Sequence, residues 1–127
     1  LVIDAGTAIT YDFATANGEY KGGGIAPGMA MRFRALHEFT ARLPLVSSQS
    51  DVLLIGDSTT ASIQSGVQWG IIAEVEGMIS YYKSQISPDL QVFLTGGDSG
   101  FFENHLKNIN FADSNLILKG IHYILTR

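Results

Sequence analysis

The chain has 127 residues, room for one domain, and 46% hydrophobic against 16% charged residues lets it bury a core. A formal net charge of −4 argues against a general nucleic-acid binder, which carries a basic stripe, although backbone amides and a metal let an acidic protein hold phosphate. The lack of cysteine excludes disulfides, thiolate zinc sites and a cysteine nucleophile. With no secretion signal and no apolar run long enough to span a bilayer, the default expectation is a soluble cytoplasmic protein without a membrane partner.

Leu1-Val2-Ile3-Asp4 reads as a short buried strand ending on a carboxylate. Such a strand needs neighbours for its ladder, so a chain opening inside one is expected to be part of a longer polypeptide. Ala5-Gly6-Thr7-Ala8 makes a glycine turn, and Ile9 to Phe13 alternates like a half-buried strand. Asn17-Gly18 signals a hairpin, so Glu19 to Ile25 pairs back as a third strand. Gly22-Gly23-Gly24 within it marks a close approach of backbone or ligand.

Pro27-Gly28 breaks the sheet pattern, and Met29 to about Arg42 has helical spacing, with Pro44 as a stop. Residues 44–58 read as a polar loop interrupted by the apolar patch Val52 to Ile55. Asp57 or Ser58 caps a long helix reaching about Gln85, with Ile63, Val67, Ile71, Val75, Met78 and Tyr82 as its apolar stripe. Gly66, Gly70 and Gly77 flatten one side of it, which suits either a dimer seam or a tightly packed core. After Ser87-Pro88, Gln91 to Leu94 is a strand, Thr95-Gly96-Gly97-Asp98 a glycine turn, and Phe101 to Lys107 a short helix. Asn115 to Leu118 is expected as a last strand and Gly120 to Leu125 as a last helix. The order predicts an α/β fold with an antiparallel start and a parallel finish. It suits one half of an actin-like, ribonuclease-H-like ATPase better than a dinucleotide-binding fold.

Two glycine turns at strand tips can offer backbone N–H groups to an anion, because glycine lets a phosphate come close. Asp4 at such a tip could hold a cation that bridges phosphates, and Thr7 adds a hydroxyl of suitable length. Taken alone, each is more simply an ordinary tight turn, and neither is a Walker loop. Thr59 stands at a helix N-terminus, a seat for an anionic group that an ordinary cap also explains. Asp12 and the three histidines read as surface or structural residues.

The strings themselves go further. Val2-Ile3-Asp4-Ala5-Gly6-Thr7-Ala8-Ile9-Thr10 resembles the second phosphate motif of type III pantothenate kinases. Gly23-Gly24-Ile25-Ala26-Pro27-Gly28 resembles that family's Gly-Gly-x-Ile-x-Pro-Gly turn. Ser58-Thr59 with Gln64-Ser65-Gly66 is similar to its Asn-Thr…Gln-Ser-Gly segment, with Ser in place of the usual Asn. Thr95-Gly96-Gly97 is similar to its adenosine motif.

This ordered resemblance implies a single ribonuclease-H-like domain over residues 1–127, the C-terminal half of an actin-like two-domain kinase of the sugar kinase, heat-shock and actin type. It further implies a homodimer and transfer of the ATP γ-phosphoryl group to the 4′-hydroxyl of pantothenate, in coenzyme A biosynthesis. Carried over, Asp4 would hold a monovalent cation (potassium or ammonium) beside Mg²⁺. Gly6 and Thr7 would meet ATP phosphate, Gly96 and Gly97 the adenosine, and Thr59 pantothenate. The family's first phosphate motif and its Gly-x-Asp-Arg motif, which carries the general base, would lie upstream of Leu1, so the segment alone is expected to be inactive. A non-catalytic, transcription-activating relative of the same fold is the alternative expectation. Another kinase or ATPase of the actin-like superfamily is a third.

Overall fold

The computed structural model describes residues 1–127. Its elements are β1 (Val2–Ala5), β2 (Ala8–Ala14), β3 (Tyr20–Pro27), α1 (Met29–Glu38), α2 (Thr59–Gln85), β4 (Phe93–Thr95), α3 (Ser99–His105), β5 (Phe111–Ala112) and α4 (Leu116–Thr126). The fold is α/β, with one five-stranded sheet in the order β3-β2-β1-β4-β5. β1, β2 and β3 pair antiparallel, whereas β4 runs parallel to β1 and β5 parallel to β4.

Local chemistry explains the antiparallel half. Gly18 takes φ 82°, the left-handed conformation that a tight hairpin turn favours. In β3, a Cβ on Gly23 would stand 1.5 Å from the Tyr11 carbonyl oxygen. The glycine run is therefore needed at this point by the neighbouring strand's backbone.

Helix α2 supplies more of the core than any other element, six of its 18 residues. Ile71, Val75 and Ile79 on its inner face are buried with Ile3, Ile9 and Leu94 of the sheet. Met78 and Tyr82 are partly buried against this core, Tyr82 stacking on Tyr11 with ring centroids 6.4 Å apart. Ser58 is the cap, its hydroxyl oxygen accepting the Ala61 N–H at 3.1 Å. The other side of α2 straps the long loop before it. Gln68, itself buried, accepts from the Gln49 N–H (3.0 Å) and donates to the Gln49 carbonyl (2.7 Å). Trp69 donates to the Val52 carbonyl at 3.1 Å and Gln64 to the Ser47 carbonyl at 3.1 Å.

Three boundaries differ from the sequence expectation. Helix α1 ends at Glu38 rather than near Arg42, because the chain folds back and the Leu43 carbonyl meets His37 Nδ1 at 2.7 Å. The expected strand at Asn115–Leu118 is instead the start of α4, with the Lys119 N–H bonded to the Asn115 carbonyl at 2.9 Å. A four-residue apolar run fits either state, so periodicity does not separate them. The last strand is Phe111–Ala112, drawn to the sheet edge by pairing with β4 and by Phe111 stacking on Phe93, centroids 5.1 Å apart.

Candidate functional site

Parallel pairing builds the site. Asp4 sits opposite Thr95, so the turns after β1 and β4 leave the sheet at the same carboxyl edge, the usual place for ligands in parallel sheets. The two turns are laced together: the Asp98 N–H donates to the Ala5 carbonyl at 2.9 Å. Gly96 adopts φ 102°, and a Cβ there would lie 2.5 Å from the Ala5 carbonyl oxygen and 2.6 Å from Asp4 Oδ1. Asp4 Oδ1 is also 3.6 Å from the position of a Cβ on Gly6.

The Asp4 carboxylate therefore lies on the floor between the two glycine turns. It is half-buried and forms no ion pair with any Lys or Arg of the chain. In the same turns, the exposed Thr7 and Gly97 N–H groups make no backbone hydrogen bond, while Gly6 donates to the Ala8 carbonyl and Ser99 to the Gly96 carbonyl. The turns after β1 and β4 thus combine an acceptor without an internal donor and two donors without internal acceptors. Such an arrangement can hold an anion and a cation together.

A third turn supports the first. The buried Gly28 donates its N–H to the Thr7 carbonyl at 3.0 Å, and a Cβ on it would stand 2.3 Å from both the Gly6 and Thr7 carbonyl oxygens. Arg32 ties this turn to the helices: its Nε donates to the Pro27 carbonyl at 3.0 Å and its guanidinium pairs with Glu74 of α2. Next to the turns opens a cavity of about 420 Å³ lined by Met29, Phe33, Leu45, Val46, Ser48 and Asp98, among others. Burial pushes the Asp98 carboxyl above the ordinary carboxylate range.

The structure thus brings Asp4, Gly6, Thr7, Gly96 and Gly97 to one place. Thr59 is exposed in the first turn of α2, and no hydrogen bond links it to the glycine turns. The cavity and Asp98 were not among the sequence candidates, because their lining comes from α1, the loop after it and the start of α3. Asp98 alone carried a signal, as the residue closing the second glycine turn.

Comparison with known proteins adds the family. A family model described as type III pantothenate kinase matches residues 1–81. A type III pantothenate kinase of Phocaeicola vulgatus is 51% identical over 126 residues, covering 99% of this chain and 52% of that relative. One of Christiangramia forsetii is 51% identical over 125 residues, covering 98% of this chain and 51% of that relative. A crystal structure from Campylobacter jejuni, described as a conserved Baf family transcriptional activator, superposes with a TM-score of 0.71 at 28% identity, over 98% of this chain and 56% of that one. The chain spans about half the length of the curated relatives it matches. With the family model covering well over half of its residues, the chain belongs to the type III pantothenate kinase family.

Proposed function

We propose that this chain is the nucleotide-binding half of an enzyme that phosphorylates pantothenate with ATP, the first step of coenzyme A biosynthesis. The observation that carries the reading is the half-buried Asp4 carboxylate between two glycine turns, with the N–H groups of Thr7 and Gly97 in those turns left without backbone acceptors. Phosphoryl transfer depends chiefly on positioning and on neutralising the charge of the transferring group, and these groups do both.

In this reading Gly6 and Thr7 bind ATP phosphate, the Thr7 N–H and hydroxyl donating to its oxygens. Gly96 and Gly97 lie against the adenosine, whose apolar ring the adjoining Met29–Phe33–Val46 cavity can take. Asp4 holds a monovalent cation, potassium or ammonium, near the phosphates. The donor set fits, since a free carboxylate beside backbone carbonyls is hard oxygen chemistry, with water and phosphate left to complete the shell. Mg²⁺ and that cation would together offset phosphate charge. Thr59 hydrogen-bonds pantothenate from the N-terminal turn of α2. The general base belongs to the half that this chain does not span, so the chain alone does not turn over.

The sheet order, antiparallel then parallel, supports assigning residues 1–127 to one ribonuclease-H-like domain of the actin-like ATPase architecture. A homodimer is supported by α2: a Cβ added at Gly66, Gly70 or Gly77 would meet nothing within 4 Å, so packing inside the chain does not call for these glycines. They leave an open helix face for a second copy. A net charge of −4 speaks against a nucleic-acid partner. No helix is long and apolar enough to cross a membrane. An enzyme of this metabolic step works in the cytoplasm.

The test is ADP release by a polypeptide joining this chain to the half that its relatives carry beyond it, with ATP, Mg²⁺ and pantothenate. Turnover is expected to require pantothenate and to rise with potassium. Asp4→Ala should lower potassium-stimulated turnover by at least about tenfold. Thr59→Ala should raise the KM for pantothenate about five- to tenfold, the loss of one hydrogen bond. A folded dimer without pantothenate-dependent turnover in either potassium or ammonium overturns the reading and favours a non-catalytic relative.

A further inference from the structure

Helix α4 (Leu116–Thr126) contains no buried residue. Ile117, Leu118, Ile121, Tyr123, Ile124 and Leu125 are all exposed, Leu125 at 79%. An eleven-residue helix this apolar and this bare is not explained by its own chain, because an amphipathic helix forms stably in water only when its apolar face is packed. The exposed Phe111, just before it, extends the apolar surface to the sheet edge.

Topology fixes where this surface lies. β1, β4 and β5 are parallel, so Ala5, Thr95 and Ala112 end at one sheet edge. The Asp113 N–H donates to the Leu94 carbonyl at 2.9 Å, and α4 starts three residues later. The helix therefore departs from the same edge as the two glycine turns.

The relatives indicate the occupant. They match 99% and 98% of this chain, yet the match spans only 52% and 51% of their own length. Each carries about as much polypeptide again, covalently joined to the matching half and so held within reach of α4. We propose that the apolar face of α4 is the docking surface for that other half. The inference concerns assembly and is independent of the phosphoryl-transfer reading.

The experiment is amide hydrogen exchange on two molecules: this chain alone, and one polypeptide in which it replaces the matching half of the Phocaeicola vulgatus relative. Residues 116–126 are expected to exchange freely in the chain alone and to slow by at least about tenfold in the joined protein. Ile121→Asp with Ile124→Asp should abolish that slowing while leaving exchange in α2 unchanged. The unspliced Phocaeicola vulgatus protein, read at the positions matching 116–126, gives the same information should the splice misfold. Free exchange of α4 in a folded joined protein overturns the proposal. So does protection already present in the chain alone that fades on dilution, which means a second copy covers α4. Protection that appears only with vesicles of anionic lipid also overturns it and assigns α4 to a membrane surface. Exchange does not depend on turnover, so loss of the kinase reading and loss of this one are separately visible.

Discussion

A Cβ at Gly96 has nowhere to go, whereas one at Gly97 is in open space. Two adjacent glycines of one turn therefore make opposite predictions. Gly96→Ala combines left-handed backbone strain with a clash against the Ala5 carbonyl and Asp4, and should cost about 3 kcal/mol in chemical denaturation. Gly97→Ala should leave stability within about 0.5 kcal/mol yet, on the proposed function, weaken ATP binding, since its methyl would fill open space that the proposal gives to the nucleotide. Equal losses of stability from both would remove the distinction. Tyr11 offers a second contrast. Its hydroxyl is buried without a hydrogen-bond partner, and burial, reinforced by the nearby Glu74 carboxylate, pushes its pKa up to about 12. Tyr11→Phe should therefore stabilise the fold by up to about 1 kcal/mol at pH 7, by removing an unsatisfied group. The folded state holds the phenolic proton more tightly than the unfolded chain, whose value stays near 10. The stability attached to that proton is complete below pH 10 and is lost as pH rises towards 12, so the parent protein should weaken more than Tyr11→Phe over that window. Denaturation midpoints of both proteins at pH 7 and across the alkaline range check both statements.

Helix α2 does two jobs, filling the core with one face and strapping the loop 47–54 with another. Gln68 carries the strap, and Gln68→Leu should leave the Gln49 N–H and carbonyl unpaired at a cost of about 2 kcal/mol, with faster amide exchange confined to that loop. Ser58→Ala removes the cap and should cost about 1 kcal/mol without that local signature. Both tests bear on what sequence reasoning could see. The cap, the Asn17-Gly18 hairpin and the α2 stripe were legible because each depends on residues a few positions apart. Asp4 and both glycine turns could be named from strand-tip patterns, and their meeting follows from a single fact, the parallel pairing of β1 with β4. That fact involves residues about ninety positions apart, and the predicted order of elements suggested it without fixing the register. The cavity beside Asp98 was not legible, because α1, a loop and the α3 start contribute one or a few residues each. β5 escaped notice because two residues carry no period, and α4 was split because Gly120 interrupts an otherwise helical run.

On the scale of the molecule, burial is uneven. Only 22 of 127 residues are buried, and they gather around α2 and the inner strands, with none from α4. Stability should follow that distribution. Removing residues 115–127 deletes no core side chain and breaks one surface ion pair, Lys119 with Asp113. An exposed pair of this kind contributes little, so the shortened chain should unfold cooperatively, within about 1 kcal/mol of the parent. It should also aggregate less, because the largest run of exposed apolar side chains goes with α4. Thermal melting followed by circular dichroism, with light scattering on the same samples, reads both quantities. A collapse of cooperative unfolding on truncation would mean that α4 packs on the sheet in solution, and the apolar face assigned to docking would then belong to the core. An unchanged transition with lower scattering would mean that the fold is complete without α4, leaving its six exposed apolar side chains to be satisfied by contacts outside this chain.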